Sequence, residues 1–278
     1  MSALPDLAQM LAGAEVIARR GGEVLMSHKS ELARVRSESK GRRRELVTAA
    51  DRAAEHAIVT RLLAEFPDLA VLAEEGVLTP QGRAHHEGDG VWILDPLDGT
   101  TNFVHGIPFF CVALGLAWKG EVVLGVVHAP ELGTTYTAAK GVGAFRDGAR
   151  ISVSKTAALD DALIATGFSY NRNEPGRDDN VARLARVLPH CRDLRRLGSA
   201  ELDLCSTACG IYDAYWELYL APYDVAAGAI IVREAGGRVT DLCGGEAWLR
   251  GGQVLATNGL LHSKLLTLIG PHEDDSTG

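Results

Sequence analysis

Two aspartates near the end of an apolar segment raise the first question about chemistry. In "VWILDPLDGTTNF", Asp95 and Asp98 stand three residues apart, and a glycine and two threonines follow them. The apolar residues before Asp95 predict a strand that enters the protein interior, where a carboxylate must be paired, hydrated or bound to a metal. An ordinary turn needs one such residue, so the pair indicates a functional site.

Three further acids lie where predicted elements end or begin. Glu74 follows the apolar run "LAVLA", Asp51 lies near the expected start of a helix, and Asp224 follows the proline of "APYD". Each alone suits a structural role, such as a solvated strand end or the first turn of a helix. If they converge with the first pair, their mutual repulsion calls for hard cations such as Mg²⁺. Two such ions roughly 3.5–4 Å apart can activate a water and stabilise a leaving oxygen.

The residues after Asp98 form a pattern that is expected to bind an anion. Gly99 permits a tight turn, and the backbone amides of Gly99, Thr100 and Thr101 open a predicted helix whose positive end attracts phosphate. The formal net charge of the chain is −8. The positive character of a phosphate site would therefore come from metals and backbone amides.

The elements that must position these residues follow from the hydrophobic pattern. Apolar residues at helical spacing predict a helix over 4–27, and Thr48, with Asp51 three residues later, predicts the N-cap of a second helix. The runs "FFCVALGLAW" and "EVVLGVVHAP" predict a hairpin that continues as a meander. The second half alternates strands near 162–168, 192–196, 212–218 and 254–258 with helices near 176–188, 199–210, 222–236 and 259–269. This mixture predicts a layered α/β arrangement.

Length and composition limit the remaining possibilities. With 46% hydrophobic and 23% charged residues, the chain is expected to fold as one unit over 1–278, with a soft subdivision near 155–160. The tail 271–278 has too few apolar groups to pack and is expected to be disordered. The negative charge argues against nucleic-acid or anionic membrane partners. Without a secretory signal, a membrane-length apolar run or a CxxC pair among its five cysteines, the chain is expected to be cytoplasmic.

Four separated segments resemble the inositol monophosphatase family. "DPLDGTTNFVHGIP" and "WELYLAPYDVAAGAIIVREAGG" are similar to its two signature regions, and "LVTAAD" and "LAEEG" are similar to its other metal-site segments. The resemblance covers residues from about 10 to 268. It implies a layered αβαβα sandwich of the inositol monophosphatase / fructose-1,6-bisphosphatase type. It also implies a homodimer and Mg²⁺-dependent hydrolysis of a small phosphate monoester that lithium inhibits.

Ligands for two or three Mg²⁺ ions follow from this resemblance. Glu74, Asp95 and the backbone carbonyl of Leu97 would hold the first ion. Asp95, Asp98 and Asp224 would hold the second, and Glu74 would help to hold a weaker third.

The resemblance also implies the catalytic and phosphate-binding groups. Thr100, hydrogen-bonded to Asp51, would position or deprotonate the attacking water together with Glu74. The amides of Gly99 and Thr100 would bind the phosphate.

Other positions match residues around the alcohol part of the substrate. Gly198, Ser199 and Ala200 would line it, and Glu217 would bond to sugar or inositol hydroxyls. Lys40 falls where the family has a lysine in a mobile loop.

The chain departs from the family pattern in three places. Tyr223 stands where a tryptophan usually precedes the last metal-binding aspartate, which changes packing but not the expected chemistry. Glu201 adds a charge near the expected substrate pocket and could alter selectivity. The stretch 34–44, "RVRSESKGRRR", is unusually basic, and we interpret it as a solvated loop that could also touch RNA.

Rival functions remain open to different degrees. A haloacid dehalogenase-type phosphatase needs its second Asp two residues after the first, a position that Leu97 occupies. A sugar-binding module without metal would not need Thr100 beside a full ligand set. A regulatory partner of RNA or of a transcription complex could coexist with catalysis, and the basic stretch is its only support.

The substrate is less defined than the chemistry. Inositol 1-phosphate, fructose 1,6-bisphosphate, histidinol phosphate and 3′-phosphoadenosine 5′-phosphate are all handled by relatives of this family. Glu217 and the short loop 76–90 favour inositol 1-phosphate or a related polyol or sugar phosphate.

Overall fold

A computed structural model describes residues 6–34, 40–74, 76–78, 89–170 and 174–271, with side chains except at 31–34, 40–48 and 76–78. The α-helices within these residues are α1 Leu7–Arg34, α2 Lys40–Glu65, α3 Thr100–His105, α4 Val181–Val187, α5 Ala200–Ala208, α6 Ala226–Glu234 and α7 His262–Ile269. The strands are β1 Ala70–Ala73, β2 Gly76–Leu78, β3 Gly90–Asp98, β4 Cys111–Trp118, β5 Glu121–Ala129, β6 Thr134–Ala139, β7 Gly143–Arg146, β8 Ala149–Arg150, β9 Leu163–Thr166, β10 Asp193–Arg195, β11 Ala214–Leu218, β12 Arg238–Thr240 and β13 Gln253–Thr257.

The elements form five layers. In the described residues, one sheet has the order β2-β1-β3-β4-β5-β6-β7-β8 and the other has the order β10-β9-β11-β13-β12. Helices α1 and α2 cover one face of the first sheet, α5 and α6 lie between the sheets, and α4 and α7 lie at the outer face of the second sheet. The layered αβαβα sandwich is therefore confirmed.

The central strands of both sheets are apolar on both faces because helices cover both faces. In β3, Trp92 packs with the α1/α2 layer, whereas Ile93 joins the core between the sheets. In β11, Tyr215 joins the central core and Trp216 the outer core. Burying a large apolar side chain contributes about 1.5–3 kcal/mol, so this alternation fixes which way each strand faces.

The predicted hairpin and its continuation are also observed. Lys119 and Gly120 join β4 to β5 with φ of 51° and 84°, and Asp147 and Gly148 join β7 to β8 with φ of 50° and 79°. Two consecutive residues with positive φ give a turn whose twist matches that of the strands it joins. The short sequences "KGE" and "DGA" therefore mark these turns correctly.

Two glycines on neighbouring strands bring α6 close to the first sheet. A Cβ at Gly115 would lie 2.8 Å from the Cβ of Ala226, and one at Gly125 would lie 2.5 Å from the carbonyl oxygen of Ala227. Glycine in a strand interior often marks such a close approach. The start of α6, directly after Asp224, is thereby held against β4 and β5.

The N-terminal helices differ from the sequence prediction. Helix α2 begins at Lys40, so the predicted N-cap at Thr48 is wrong, and the described part of the basic stretch 34–44 is helical rather than a loop. The residues "KGRRREL" are, apart from the glycine, good helix formers, and they extend the helix beyond the capping pattern. The short strands β2 and β12 were not predicted.

The expected subdivision coincides with the change of sheet. The first sheet ends with β8 and the second begins with β9, on either side of 155–160. A single unit over 1–278 stays a prediction, and residues 272–278 of the expected disordered tail lie outside the described residues. In the part of the chain that the structure describes, no helix has the length and apolar character needed to cross a membrane.

Candidate active site

A bulge at the end of β3 turns Asp95 and Asp98 towards the same cleft. Residues three apart on a regular strand point to opposite faces. Here Asp95 pairs with Ala113 and Asp98 with Cys111, so β3 uses one residue more than β4 over this interval. An inserted residue of this kind redirects a side chain.

Hydrogen bonds fix both carboxylates. Oδ1 of Asp95 accepts the backbone N–H of Leu97 at 2.9 Å. Oδ2 of Asp98 accepts the hydroxyl of Ser199 at 2.5 Å and the N–H of Glu201 at 2.9 Å. Asp98 therefore lies at the N-terminus of α5, where the backbone amides favour negative charge.

The two aspartates line a cleft of about 270 Å³ between the sheets' ends. The predicted site residues that line it are Glu74, Asp95, Leu97, Asp98, Gly99, Thr100, Gly198, Ala200, Glu217 and Asp224. They come from β3, β11 and the ends of several other elements, so the fold gathers acids that are far apart in sequence.

Crowding and burial perturb the acids of the cleft. Burial raises the pKa of Asp95 well above its usual value, and the charges of Asp98 and Asp224 raise it further. Burial, with a smaller effect of neighbouring acids, raises the pKa of Asp224 to about 7. Negative charge is therefore costly in this cleft, and a bound cation would reverse that cost.

The donor set fits a hard cation. The side chains and the Leu97 carbonyl present oxygen atoms only, which Mg²⁺ prefers, and Mg²⁺ usually keeps several waters. Among the described residues, no three His, Cys, Asp or Glu side chains lie close enough together to enclose an ion as they stand. A cation would have to draw the carboxylates closer, and its charge would offset the repulsion that separates them.

The turn after Asp98 is compatible only with glycine. Gly99 has a φ of 86°, and a Cβ there would lie 2.9 Å from the carbonyl oxygen of Phe109. The hydroxyl of Thr100 donates to the carbonyl oxygen of Leu97 at 3.1 Å, whereas the prediction had directed it to Asp51. Asp51 lies outside the cleft lining, although its charge contributes to the raised pKa of Asp95.

Glu217 faces the cleft from β11. Burial raises its pKa to about 7, and the hydroxyl of Tyr215 donates to its Oε2. A Cβ at Gly167 would overlap this carboxylate, so glycine at that position makes room for Glu217. One carboxylate oxygen is thus occupied within the protein, and the other can face a ligand.

Besides Asp51, two predicted residues are not placed in the cleft. Ser199 is buried behind Asp98 and caps α5, with its side chain accepting from the N–H of Leu202. From this position Ser199 orients Asp98, and it does not line the cleft where substrate would bind. Lys40 is the first residue of α2, and its side chain lies outside the described residues.

Comparison with known proteins decides the family. The inositol monophosphatase family model matches residues 6–273. The chain belongs to the inositol monophosphatase family. A Pseudomonas aeruginosa relative named Nus factor SuhB is 41% identical over 82% of this chain and 84% of its own. The Thermotoga maritima fructose-1,6-bisphosphatase/inositol-1-monophosphatase is 40% identical over 90% of this chain and 92% of its own.

A solved structure of this family agrees with the fold. The inositol monophosphatase from Anabaena (Nostoc) sp. PCC 7120 superposes with a TM-score of 0.85 at 36% identity, over 97% of this chain and 99% of that chain. Membership supports a hydrolase of phosphate esters in a family that is generally metal-dependent, with a small phosphorylated molecule as substrate.

Several cleft residues were missed by the sequence reasoning. They are Phe168, Ser169, Tyr170, Arg196, Leu218, Tyr219 and Leu220, and Tyr223, noted only as a departure from the family pattern, also lines the cleft. These residues end or follow the predicted strands 162–168 and 212–218, or lie next to the "GSA" segment. Aromatic residues directly after a strand were a usable signal, because loops at strand ends often carry binding residues.

Glu201 does not lie in the substrate cleft as the sequence had suggested. It is fully buried, and its carboxylate accepts the backbone N–H groups of Ala227, at 3.2 Å, and of Gly228. These amides open α6, so Glu201 joins the N-terminal ends of α5 and α6. Glu201 therefore holds the start of α6 and does not line the substrate pocket.

Proposed function

We propose that this protein hydrolyses a small phosphate monoester with Mg²⁺, and that its substrate is inositol 1-phosphate or a related polyol or sugar phosphate. The observation that carries the proposal is the bulge in β3, which turns Asp95 and Asp98 into the cleft that Glu74 and Asp224 also line. Family membership supports the same chemistry.

The acids and one carbonyl would hold two or three ions. Glu74, Asp95 and the carbonyl of Leu97 would bind the first, and Asp95, Asp98 and Asp224 the second, with Glu74 assisting a third. When bound, Mg²⁺ would lower the pKa of a water and neutralise charge on the phosphate and the leaving oxygen.

The chain's own groups would orient the phosphate and move the proton. The N–H groups of Gly99 and Thr100 precede or open α3, where the helix itself offers no acceptor, and they would bind phosphate oxygens. The carboxylate of Glu74 would accept a proton from the attacking water. Thr100, which the family resemblance pairs with Asp51, would hold that water beside the Leu97 carbonyl, which its hydroxyl already contacts.

The alcohol part of the substrate would lie towards Gly198, Ala200 and Glu217. The carboxylate of Glu217 can accept hydrogen bonds from hydroxyl groups, and polyols and sugars offer these in the required number. This supports a polyol or sugar phosphate over an aryl phosphate.

A phosphate-release panel tests the proposal. Inositol 1-phosphate, fructose 1,6-bisphosphate, histidinol phosphate and 3′-phosphoadenosine 5′-phosphate would be compared at equal concentration with Mg²⁺ and with EDTA. Release from inositol 1-phosphate that requires Mg²⁺ is the expected result. Faster release from one of the other three would make that compound the proposed substrate in place of inositol 1-phosphate. No release from any of the four would overturn the proposed phosphatase activity.

A second candidate function is binding to RNA or to a transcription complex. The basic stretch 34–44 supports it, and the Pseudomonas relative named Nus factor SuhB leaves it open. Salt-dependent RNA binding by the protein in the absence of substrate would favour this function.

We also propose that the protein is a cytoplasmic homodimer. Sedimentation of the purified chain would test its oligomeric state.

A further inference from the structure

A buried side-chain amide lies between the two ends of the cleft. Asn102 is the third residue of α3, and only 5% of it is exposed. It does not line the cleft, whereas Gly99, at the expected phosphate end, and Gly198, at the expected alcohol end, both do. The proposed chemistry gives Asn102 no role, yet its contacts connect these two ends.

At the phosphate end, Asn102 holds the chain that returns from α3 to β4. Its Nδ2 donates to the carbonyl oxygen of Phe109 at 2.7 Å, and its backbone carbonyl accepts the N–H of Ile107 at 2.9 Å. The carbonyl oxygen of Phe109 is the atom that a Cβ at Gly99 would approach to 2.9 Å. Asn102 therefore fixes the segment that lies directly against the turn at Gly99.

At the alcohol end, the same nitrogen holds the connection between β10 and α5. Nδ2 of Asn102 donates to the carbonyl oxygen of Leu197 at 2.7 Å and lies 3.4 Å from that of Gly198. Leu197 comes 95 residues after Asn102 and belongs to the half of the chain that forms the second sheet. An amide NH₂ group carries two hydrogens, so it can donate to one carbonyl of each segment at the same time.

We propose that Asn102 is a positioning residue that sets the distance between the phosphate end and the alcohol end of the cleft. The ester bond to be broken would lie between these ends, so a substrate held at both must match their separation. Asn102 would act through Phe109 and Leu197 without touching the substrate or a metal ion. This inference rests on the proposed phosphatase function and adds to it a residue outside the cleft lining.

The phosphate end keeps its own support when the Asn102 amide is lost. The N–H of Phe103 donates to the carbonyl oxygen of Gly99 at 3.0 Å, which fixes the start of α3 through the backbone. The N–H groups of Gly99 and Thr100 therefore keep their direction. Loss of the amide should let the connection between β10 and α5 shift relative to α3, rather than remove the phosphate position.

The test compares substitutions of two buried asparagines. Asn102→Leu removes both donated hydrogen bonds at similar volume, and Asn102→Ser leaves a hydroxyl that can donate to one carbonyl at most. Asn258→Leu is the matched control. Asn258 is also 5% exposed, and its Nδ2 donates to the hydroxyl of Ser154 at 2.9 Å and to the carbonyl of Thr156 at 2.8 Å, outside the cleft lining.

The measured quantities are kcat and KM with Mg²⁺ for inositol 1-phosphate and for p-nitrophenyl phosphate, and the inhibition constant of inorganic phosphate. Asn102→Leu should lower kcat/KM for inositol 1-phosphate about tenfold to a hundredfold, because the ester is misplaced between the two ends. The other two ligands do not use the hydroxyl-binding end, so their constants should change less than about threefold. Asn102→Ser should give an intermediate ratio of the two kcat/KM values.

Asn258→Leu should lower the unfolding temperature about as much as Asn102→Leu does, because each variant leaves buried polar groups without a partner. It should leave the ratio of the two kcat/KM values unchanged. This separates the position of the cleft's ends from a general loss of stability.

Three results would overturn the inference. They are equal losses on both substrates in Asn102→Leu, an unchanged ratio in that variant, and the same change of ratio in Asn258→Leu. If Asn102→Leu does not fold, the ratio in Asn102→Ser decides in the same way. All of these leave the proposed function standing, whereas a wild type that releases phosphate from neither compound with Mg²⁺ would reject that function and this inference with it.

Discussion

At the scale of single residues, the cleft contains buried carboxylates whose ionisation is costly, and hydrogen bonds from the protein hold them in place. Asp98 is buried, yet its carboxylate accepts the hydroxyl of Ser199 and the N–H groups of Ala200 and Glu201. Burial raises the pKa of Asp98. The hydrogen bonds from Ser199 and from the two N–H groups reduce this rise but do not remove it. Asp98 can thus face a cation on one side while the start of α5 orients it from the other.

Glu217 gives a prediction about substrate choice. Because Tyr215 already occupies Oε2, Glu217→Gln would remove an acceptor that faces the substrate while nearly preserving shape. We expect KM for inositol 1-phosphate to rise about tenfold, since losing a charged hydrogen bond costs roughly 1.5–3 kcal/mol. The KM for a simple aryl phosphate, which lacks hydroxyls, should change much less. Equal changes for both compounds would show that Glu217 does not select substrates.

Lithium inhibition tests the second cation position. Asp98 and Asp224 would hold an ion at the leaving-group side, and Li⁺ there would keep oxygen ligands but supply half the charge. Product would then remain bound, so millimolar LiCl should lower kcat more than kcat/KM. Simple competition between lithium and substrate, measured in steady-state kinetics, would place the second ion elsewhere.

Residue types near the site were largely readable from the sequence, but their contacts were not. Asp95, Asp98 and Gly99 stood out because carboxylates and a glycine follow an apolar strand. Arg196 and Tyr170 did not, because their importance depends on two loops that meet only in the folded chain. Glu201 was noticed as an added charge, but its partners on α6 lie 26 and 27 residues away.

At the scale of elements, α6 is the part that must be placed most accurately. Asp224 immediately precedes it, Glu201 caps it from α5, and Gly115 and Gly125 let it approach the first sheet. The position of the last predicted metal-binding aspartate therefore depends on helix packing as well as on its own loop.

Gly125→Ala should separate α6 from the sheet. The added methyl group would lie 2.5 Å from the Ala227 carbonyl oxygen, so the helix must shift. Overpacking of this kind costs about 1–3 kcal/mol in the free energy of unfolding, measured by urea denaturation. Because Asp224 moves with α6, the Mg²⁺ concentration for half-maximal phosphate release should also rise.

Val126→Ala is the matched control for that experiment. Val126 lies on the opposite face of β5, in the core shared with α1 and α2. It should lower stability without changing the Mg²⁺ dependence. If both variants shift the Mg²⁺ dependence equally, loss of stability rather than the position of α6 explains the effect.

Element boundaries show where sequence reasoning reached its limit. The hairpin β4–β5 was predicted because its turn, "KGE", lies between two strongly apolar runs. The start of α2 was wrong because Thr48 and Asp51 imitate a capping box inside a longer run of helix-forming residues. Strand β12 has three residues, too few to show a period, and is defined by pairing with β13.

At the scale of the whole molecule, the two sheets share the central layer of α5 and α6, and each has its own outer helical layer. His262, a buried histidine in α7 near the C-terminal end of the chain, connects the second sheet to its outer helical layer. The ring of His262 is fully buried, with Nδ1 3.0 Å from the hydroxyl of Thr257 and Nε2 3.0 Å from that of Thr240. These contacts join α7 to β13 and β12.

His262 should make the protein less stable in mild acid. Burial, with a smaller effect from Arg238, lowers its pKa to about 4 from 6.5, so the unfolded chain binds a proton at a higher pH than the folded chain does. The contribution of His262 to the free energy of unfolding is complete above pH 6.5 and falls by about 3 kcal/mol as the pH approaches 4. The free energy of unfolding of wild type relative to His262→Gln should fall across this range. A difference that does not vary with pH would contradict the assignment.

The central claim is that the acids brought together by the fold bind Mg²⁺ for phosphate ester hydrolysis. Its most direct test is Mg²⁺ binding by calorimetry, together with phosphate release from inositol 1-phosphate, for the wild type and Asp95→Asn. Asp95 is predicted to contact both ions, so the variant should bind Mg²⁺ more weakly and lose at least about a hundredfold in kcat while unfolding at a similar temperature. Full activity of Asp95→Asn, or of the wild type in EDTA, would contradict the account.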